Sequence, residues 1–183
     1  MMNIPNLLTL SRIVLVPFLI VLLSNQHFFY SFLVYTIAGF TDALDGFIAR
    51  YFNARSRLGA ILDPIADKCL MVAMFVTLST LYIVPFWLMV IVVLRDVFIV
   101  IGYWLLLIST KKIDLKPLWL SKLNTIVQFL YILLVLVSLT WSLEINSILV
   151  TMSLLVLLTT LTSGVAYLIA IYYIARRYKA QRV

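Results

Sequence analysis

Four carboxylates give this chain its chemistry. Asp42, Asp45, Asp63 and Asp67 account for four of its seven acidic residues, in a protein that is 64% hydrophobic. Asp42 and Asp45 are three apart and Asp63 and Asp67 four apart, so each pair shares one face of a helix. Close carboxylates in apolar surroundings cannot all be ionised unless cations balance them. A donor set of oxygens without histidine or cysteine suits hard ions, Mg2+ or Mn2+, and two pairs suggest two ions. Hydrated hard ions at such sites commonly also hold phosphate oxygens.

Small and basic residues around the aspartates fit a phosphate ligand. Gly46 follows Asp45, and Gly59 lies four before Asp63; each leaves room for a ligand to approach the backbone. Ala49 lies four after Asp45 on the same face. Arg50 carries a planar fork that matches a phosphate. Taken singly, glycine and alanine also serve close helix packing, and Arg50, Arg55 and Arg57 also serve as topology signals. The joint spacing favours a metal–phosphate site. Cys69 is the only cysteine, which excludes an internal disulfide; it lies two past Asp67 and points off that helix face.

The elements that must hold these residues are membrane helices. A chain of 183 residues with mean hydropathy +1.14 and 11% charged residues exceeds what a soluble core can hide. At roughly 20 apolar residues per span, the pattern predicts spans at 7–24, 28–50, 59–82, 86–109, 118–141 and 147–174. The basic tail follows, and 1–183 reads as one helical domain. The first span has no basic n-region and no small-x-small cleavage site after it, so it reads as a retained helix rather than a signal peptide. All 14 lysines and arginines lie at or toward the side shared by the termini and the connectors after spans two and four. The connectors around Asn25, Leu81 and Glu144 carry none. The positive-inside rule then puts both termini and the aspartates on the cytoplasmic side. The net charge of +7 follows membrane topology rather than a nucleic-acid patch. His27, the only histidine, falls at the opposite side, far from the aspartates.

The run Asp42-x2-Asp45-Gly46-x2-Ala49-Arg50-x8-Gly59-x3-Asp63-x3-Asp67 resembles, at all its fixed positions, the signature of the CDP-alcohol phosphatidyltransferases. The opening Ile4-Pro5-Asn6-x2-Thr9-x2-Arg12 and the basic loop before the fifth span are similar to that family too. The resemblance implies an all-α, six-helix integral membrane enzyme, usually a homodimer, with its site open to the cytoplasm and inner leaflet of a bacterial inner membrane. It implies that Asp42, Asp45, Asp63 and Asp67 bind two divalent cations against the pyrophosphate of CDP-diacylglycerol, with Asp67 also the general base on the acceptor hydroxyl and CMP the leaving group. It implies that Gly46, Ala49 and Gly59 pack against the nucleotide and that Arg50 holds a phosphate.

Arg95 and Lys122, on the cytoplasmic side of spans four and five, are candidates for an anionic, glycerol-containing acceptor. An ion pair of Arg95 with Asp96 or with a motif aspartate is the competing role. Arg95-Asp96 together with Ser121-Lys122-Leu123-Asn124-Thr125 is similar to the cardiolipin synthase branch of the family. The phosphatidylglycerophosphate synthase branch typically has a second lysine where Asn124 stands. A phosphodiester such as phosphatidylglycerol carries one charge fewer than glycerol 3-phosphate, so the pattern favours phosphatidylglycerol, with glycerol 3-phosphate as the alternative. Paired carboxylates would also suit a cation or proton transporter. Transporters, however, bind near the midplane between repeated halves with broken helices, and no repeat is visible here.

Overall fold

The computed structural model describes the backbone of residues 4–51, 57–110 and 119–180, and the side chains of 14–41, 68–102 and 119–171. Six helices follow in order: α1 Ile4–Ser24, α2 Phe28–Tyr51, α3 Arg57–Thr80, α4 Phe86–Thr110, α5 Trp119–Trp141 and α6 Asn146–Ala180. No strand occurs among the described residues. Every expected span is a helix, with two boundaries that differ by more than two residues. α1 begins at Ile4, three residues early, because Pro5 fits a first turn where its missing N–H costs nothing. α6 runs to Ala180, so Arg176, Arg177 and Lys179 extend the last helix rather than forming a separate tail.

Three tight turns join the helices in pairs, and all three use one device. Gln26, Tyr82 and Ser142 have φ of 60°, 59° and 51°. The residue after each donates its N–H back to the carbonyl five before it: His27 to Leu22 at 2.9 Å, Ile83 to Leu78 at 3.0 Å, and Leu143 to Ser138 at 3.0 Å. This is the Schellman closure, which satisfies carbonyls at a helix end. The left-handed residue is usually glycine; here it is a side-chain-bearing residue each time. Pro85 then opens α4, its carbonyl accepting from Leu88 and Met89.

Cross-helix contacts fix which ends meet. Phe32, early in α2, meets Trp141, at the end of α5, edge to face at 5.2 Å. Lys68, midway along α3, reaches Asp96 in α4, and the adjacent Arg95 reaches Ser121 at the start of α5. The start of α5 therefore lies level with the middle of α3, and α3 begins beyond it, at the end of the bundle away from the three tight turns. α3 is the central post, packing on α1, α4 and α5. Its buried stripe Leu70, Met71, Met74, Phe75 and Leu78 meets Leu19 and Leu23 of α1, Leu88 and Val92 of α4, and Tyr131, Val135 and Leu136 of α5 in one core.

The outside is as apolar as the inside. Phe18, Phe40, Phe98, Leu158 and Leu168 are each more than half exposed. Asn146–Ile171 and Trp119–Trp141 are long and apolar enough to cross a membrane, yet the first has only 17% of its most apolar stretch buried in the protein. Contiguous apolar surface of this kind needs a covering, and an apolar helix face needs a hydrocarbon solvent as readily as a core. Hydroxyls on these helices bond their own backbone, as Thr36 does to Phe32 O and Thr162 to Leu158 O, which removes the cost of placing them in oil.

Candidate active site

The aspartates lie at the end of the bundle opposite the tight turns. Asp42 and Asp45 fall in the later part of α2 and Asp63 and Asp67 in the earlier part of α3. Tyr35 of α2 donates its hydroxyl to Met71 of α3 at 3.5 Å, which matches the two helices in height. At 1.5 Å rise per residue, Asp42 and Asp45 lie about 10 and 15 Å beyond that level along α2, and Asp67 and Asp63 about 6 and 12 Å beyond it along α3. The two pairs occupy overlapping levels. Gly46, Ala49 and Arg50 continue α2, and Gly59 lies in the first turn of α3. The side chains from Asp42 to Asp67 lie outside the described residues, as do residues 52–56 of the connector, 51–58, that is expected to fold the two faces together.

Beside this region the described side chains form a polar cluster linking four helices. Asp96 of α4 accepts from Arg95 Nη1 at 2.7 Å on Oδ1, and from Lys68 Nζ of α3 at 2.8 Å on Oδ1 and 2.9 Å on Oδ2. Arg95 Nε donates to Ser163 of α6 at 3.1 Å, and Nη2 to Ser121 of α5 at 2.9 Å. Gly164 follows Ser163 and leaves its Cβ position 3.7 Å from Arg95 Cγ, so the arginine stem lies against bare backbone. Arg95 and Asp96 are buried. Removing one partner of a buried pair costs about 3–5 kcal/mol, because the other charge is stranded.

A second cluster continues between α5 and α6. Asn124, fully buried, accepts on Oδ1 from the hydroxyls of Thr159 and Thr160 at 2.9 Å each. Gln128, one turn on, donates to Thr160 at 3.4 Å. Buried amides paired with hydroxyls across an interface tie membrane helices together.

These contacts include the ion pair of Arg95 with Asp96 that was the competing role for Arg95. Arg95 does sit deep between helices, but three of its N–H bonds already go to protein. Lys122 is exposed and forms no ion pair among the described residues. Asn124 belongs to the α5–α6 contact, so a lysine there would be driven between two threonines. Its identity therefore reports packing as well as any loss of charge. Neither Lys68 nor Ser163 is among the site residues expected from the sequence. The available signal for Lys68 was a lone cation at the start of an otherwise apolar run; Ser163 gave none, since serines recur along α6.

The sequence profile described as CDP-alcohol phosphatidyltransferase matches residues 2–162, most of the chain and all of α1 to α5. The chain belongs to that family. Among curated proteins it is 36% identical over 146 residues to cardiolipin synthase (CMP-forming) of Homo sapiens, covering 71% of this chain and 48% of that protein. It is 40% identical over 143 residues to a probable cardiolipin synthase (CMP-forming) of Drosophila melanogaster, covering 69% and 44%. It is also 36% identical over 139 residues to CDP-diacylglycerol–glycerol-3-phosphate 3-phosphatidyltransferase of Wigglesworthia glossinidia brevipalpis, covering 72% and 75%. The chain thus spans about half the length of the animal relatives and three quarters of the bacterial one. Membership in the CDP-alcohol phosphatidyltransferase family agrees with the resemblance read from the aspartate run.

Proposed function

We propose that this protein transfers a phosphatidyl group from CDP-diacylglycerol to the hydroxyl of an anionic glycerol-containing acceptor and releases CMP. The observation that carries the proposal is the eight-residue pattern Asp42, Asp45, Gly46, Ala49, Arg50, Gly59, Asp63 and Asp67, spread over the later part of α2 and the earlier part of α3 in a chain of this family.

The donor set, four carboxylates with no softer ligand among them, fits two divalent cations, Mg2+ or Mn2+. Asp42, Asp45, Asp63 and Asp67 would hold them, and when bound they supply the positive charge that offsets negative charge growing on the phosphate oxygens. Asp67 takes the proton from the acceptor hydroxyl as its oxygen attacks the lipid-side phosphorus; the bond to CMP breaks, and CMP leaves with the electron pair. Proton removal by a positioned base contributes about 10²–10⁴-fold. Arg50 grips a phosphate through its planar fork. Gly46, Ala49 and Gly59 leave the nucleotide room to lie against the helices. Arg95 and Lys122 are the cations that the sequence pattern offers toward the acceptor.

In this reading the chain spans the membrane six times with both termini in the cytoplasm, and the site faces the cytoplasm at a bacterial inner membrane. The three turns closed at Gln26, Tyr82 and Ser142 lie in connectors without a lysine or arginine, as the far side of the membrane requires. The lipid donor then stays in the bilayer while CMP leaves to water. Residues 1–183 act as one domain, and a homodimer is its assembly.

Phosphatidylglycerol is the acceptor favoured by Arg95-Asp96 and the Ser121–Thr125 run, which makes cardiolipin the product. Glycerol 3-phosphate is the second reading, favoured by the fuller coverage of the bacterial relative named for that acceptor. Thin-layer separation of lipid products, with each acceptor supplied separately, decides between them. Cardiolipin from phosphatidylglycerol is expected; phosphatidylglycerophosphate alone selects the second reading, and no new lipid from either acceptor overturns the proposal.

A further inference from the structure

Asp96 faces two cations from two helices with one carboxylate. Its Oδ1 accepts from both Arg95 Nη1 and Lys68 Nζ, and its Oδ2 takes a second bond from Lys68. The trio therefore keeps one formal positive charge. The charge is not buried evenly: the side chains of Arg95 and Asp96 are 5% and 4% exposed, whereas that of Lys68 is 28% exposed. Lys68 Nζ has three N–H bonds and gives two to Asp96. Arg95 gives one bond each from Nε, Nη1 and Nη2, leaving two of its five N–H bonds uncommitted among the described residues. The surplus charge lies toward the open edge, on the residue that follows Asp67 in α3.

A purely structural ion pair needs one cation per carboxylate. A second cation beside it is costly to desolvate unless it has something further to hold. Arg95 is anchored from three directions by Asp96, Ser121 and Ser163, so its fork cannot swing to follow a ligand and is set in advance. Lys122, by contrast, is exposed and forms no ion pair among the described residues.

We infer that Asp96 is a positioning residue that presets Lys68 and Arg95 as one cationic unit for the phosphate of the acceptor, with Lys68 rather than Lys122 as the partner of Arg95. The inference rests on the phosphatidyltransferase reading and names the residues that would recognise its acceptor. The uncommitted N–H bonds of both side chains are donors for phosphate oxygens, and charge-assisted bonds of this kind are the stronger ones. Asp96 acts only through the two cations and touches no substrate.

The test uses the full chain in detergent, comparing wild type with Asp96→Asn, Asp96→Glu, Lys68→Met and the double variant Asp96→Asn/Lys68→Met. Asp96→Asn and Lys68→Met should each raise the apparent KM for the acceptor about tenfold or more, leaving the KM for CDP-diacylglycerol within about twofold. The double variant should be little worse than either single one, since both break the same unit, and Asp96→Glu should recover part of the loss. Should Asp96→Asn fail to fold, Lys68→Met carries the test alone, because its side chain is partly exposed. An unchanged acceptor KM, or an equal change for both substrates, overturns the inference. So does an altered metal requirement with the acceptor KM intact, which would make Lys68 a counter-charge to the aspartates. Binding of short-chain phosphatidylglycerol and of glycerol 3-phosphate, in separate arms without CDP-lipid, reads the same contrast with no turnover. Wild type that binds either one but releases no CMP, with binding weakened by Asp96→Asn, sinks the transferase reading alone. Wild type that binds neither, or variants that bind as well as wild type, sinks the inference.

Discussion

At the scale of single residues, Asp96 and Asp67 differ in what is available to balance a carboxylate. Asp96 is satisfied by neighbouring cations and needs nothing from solution. Asp67 belongs to a run of four aspartates whose only counter-charges within that run are Arg50, Arg55 and Arg57, and its proposed roles as metal ligand and base follow from that imbalance. Replacing Asp67 by Asn keeps the shape and one ligand oxygen but removes the base. Turnover should fall by about 10²-fold or more, while CDP-lipid binding persists; near-normal turnover would strip Asp67 of its role as base. The aspartates were legible in the sequence because charge is rare there and their spacing is helical. The Arg95 contacts were legible only in part. Adjacency suggests Asp96 as a partner, but Ser121 and Ser163 come from helices whose register no local pattern states.

At the scale of elements, the helices and most of their ends were readable from hydropathy, but the way the tight turns close was not. The Schellman turns use Gln, Tyr and Ser where glycine is the usual signal, so sequence rules for helix termination find nothing to read. A left-handed conformation costs a side-chain-bearing residue roughly 1–2 kcal/mol. Ser142→Gly should therefore raise the melting temperature in detergent, and a fall would show that the serine supports the α5–α6 turn in some other way. Close packing is the opposite case. A Cβ on Gly39 of α2 would lie 2.3 Å from ring carbons of Phe129 of α5, and that ring is stacked on Tyr35 at 4.8 Å between centroids. Gly39→Ala should cost about 1–3 kcal/mol through forced repacking. Adding Phe129→Leu should recover part of it; equal stability of wild type and Gly39→Ala would mean that the ring moves aside freely. Nothing in the sequence pairs residues 39 and 129. The glycine alone reads as a packing position without a partner.

At the scale of the whole molecule, one end of the bundle carries the tight turns and the other the aspartates. Charge gave this division in the sequence, and the contacts Phe32–Trp141 and Lys68–Asp96–Arg95–Ser121 give it again in the packing. In a Cys69→Ser background, single cysteines at Glu144 and at Lys179 should react from opposite sides of a sealed membrane with an impermeant maleimide. Labelling of both from one side would refute the six-span arrangement. The acceptor lies beyond what the fold alone can decide, because both branches of the family would share these six helices.

The central claim is metal-dependent phosphatidyl transfer at the α2–α3 aspartates, and release of CMP measures it most directly. Purified protein given CDP-diacylglycerol, Mg2+ or Mn2+ and an acceptor should release CMP, with none after chelation, none without acceptor and close to none from Asp67→Asn. Release of CMP that persists at full rate in chelator, or none with either acceptor in the presence of the ions, would contradict it.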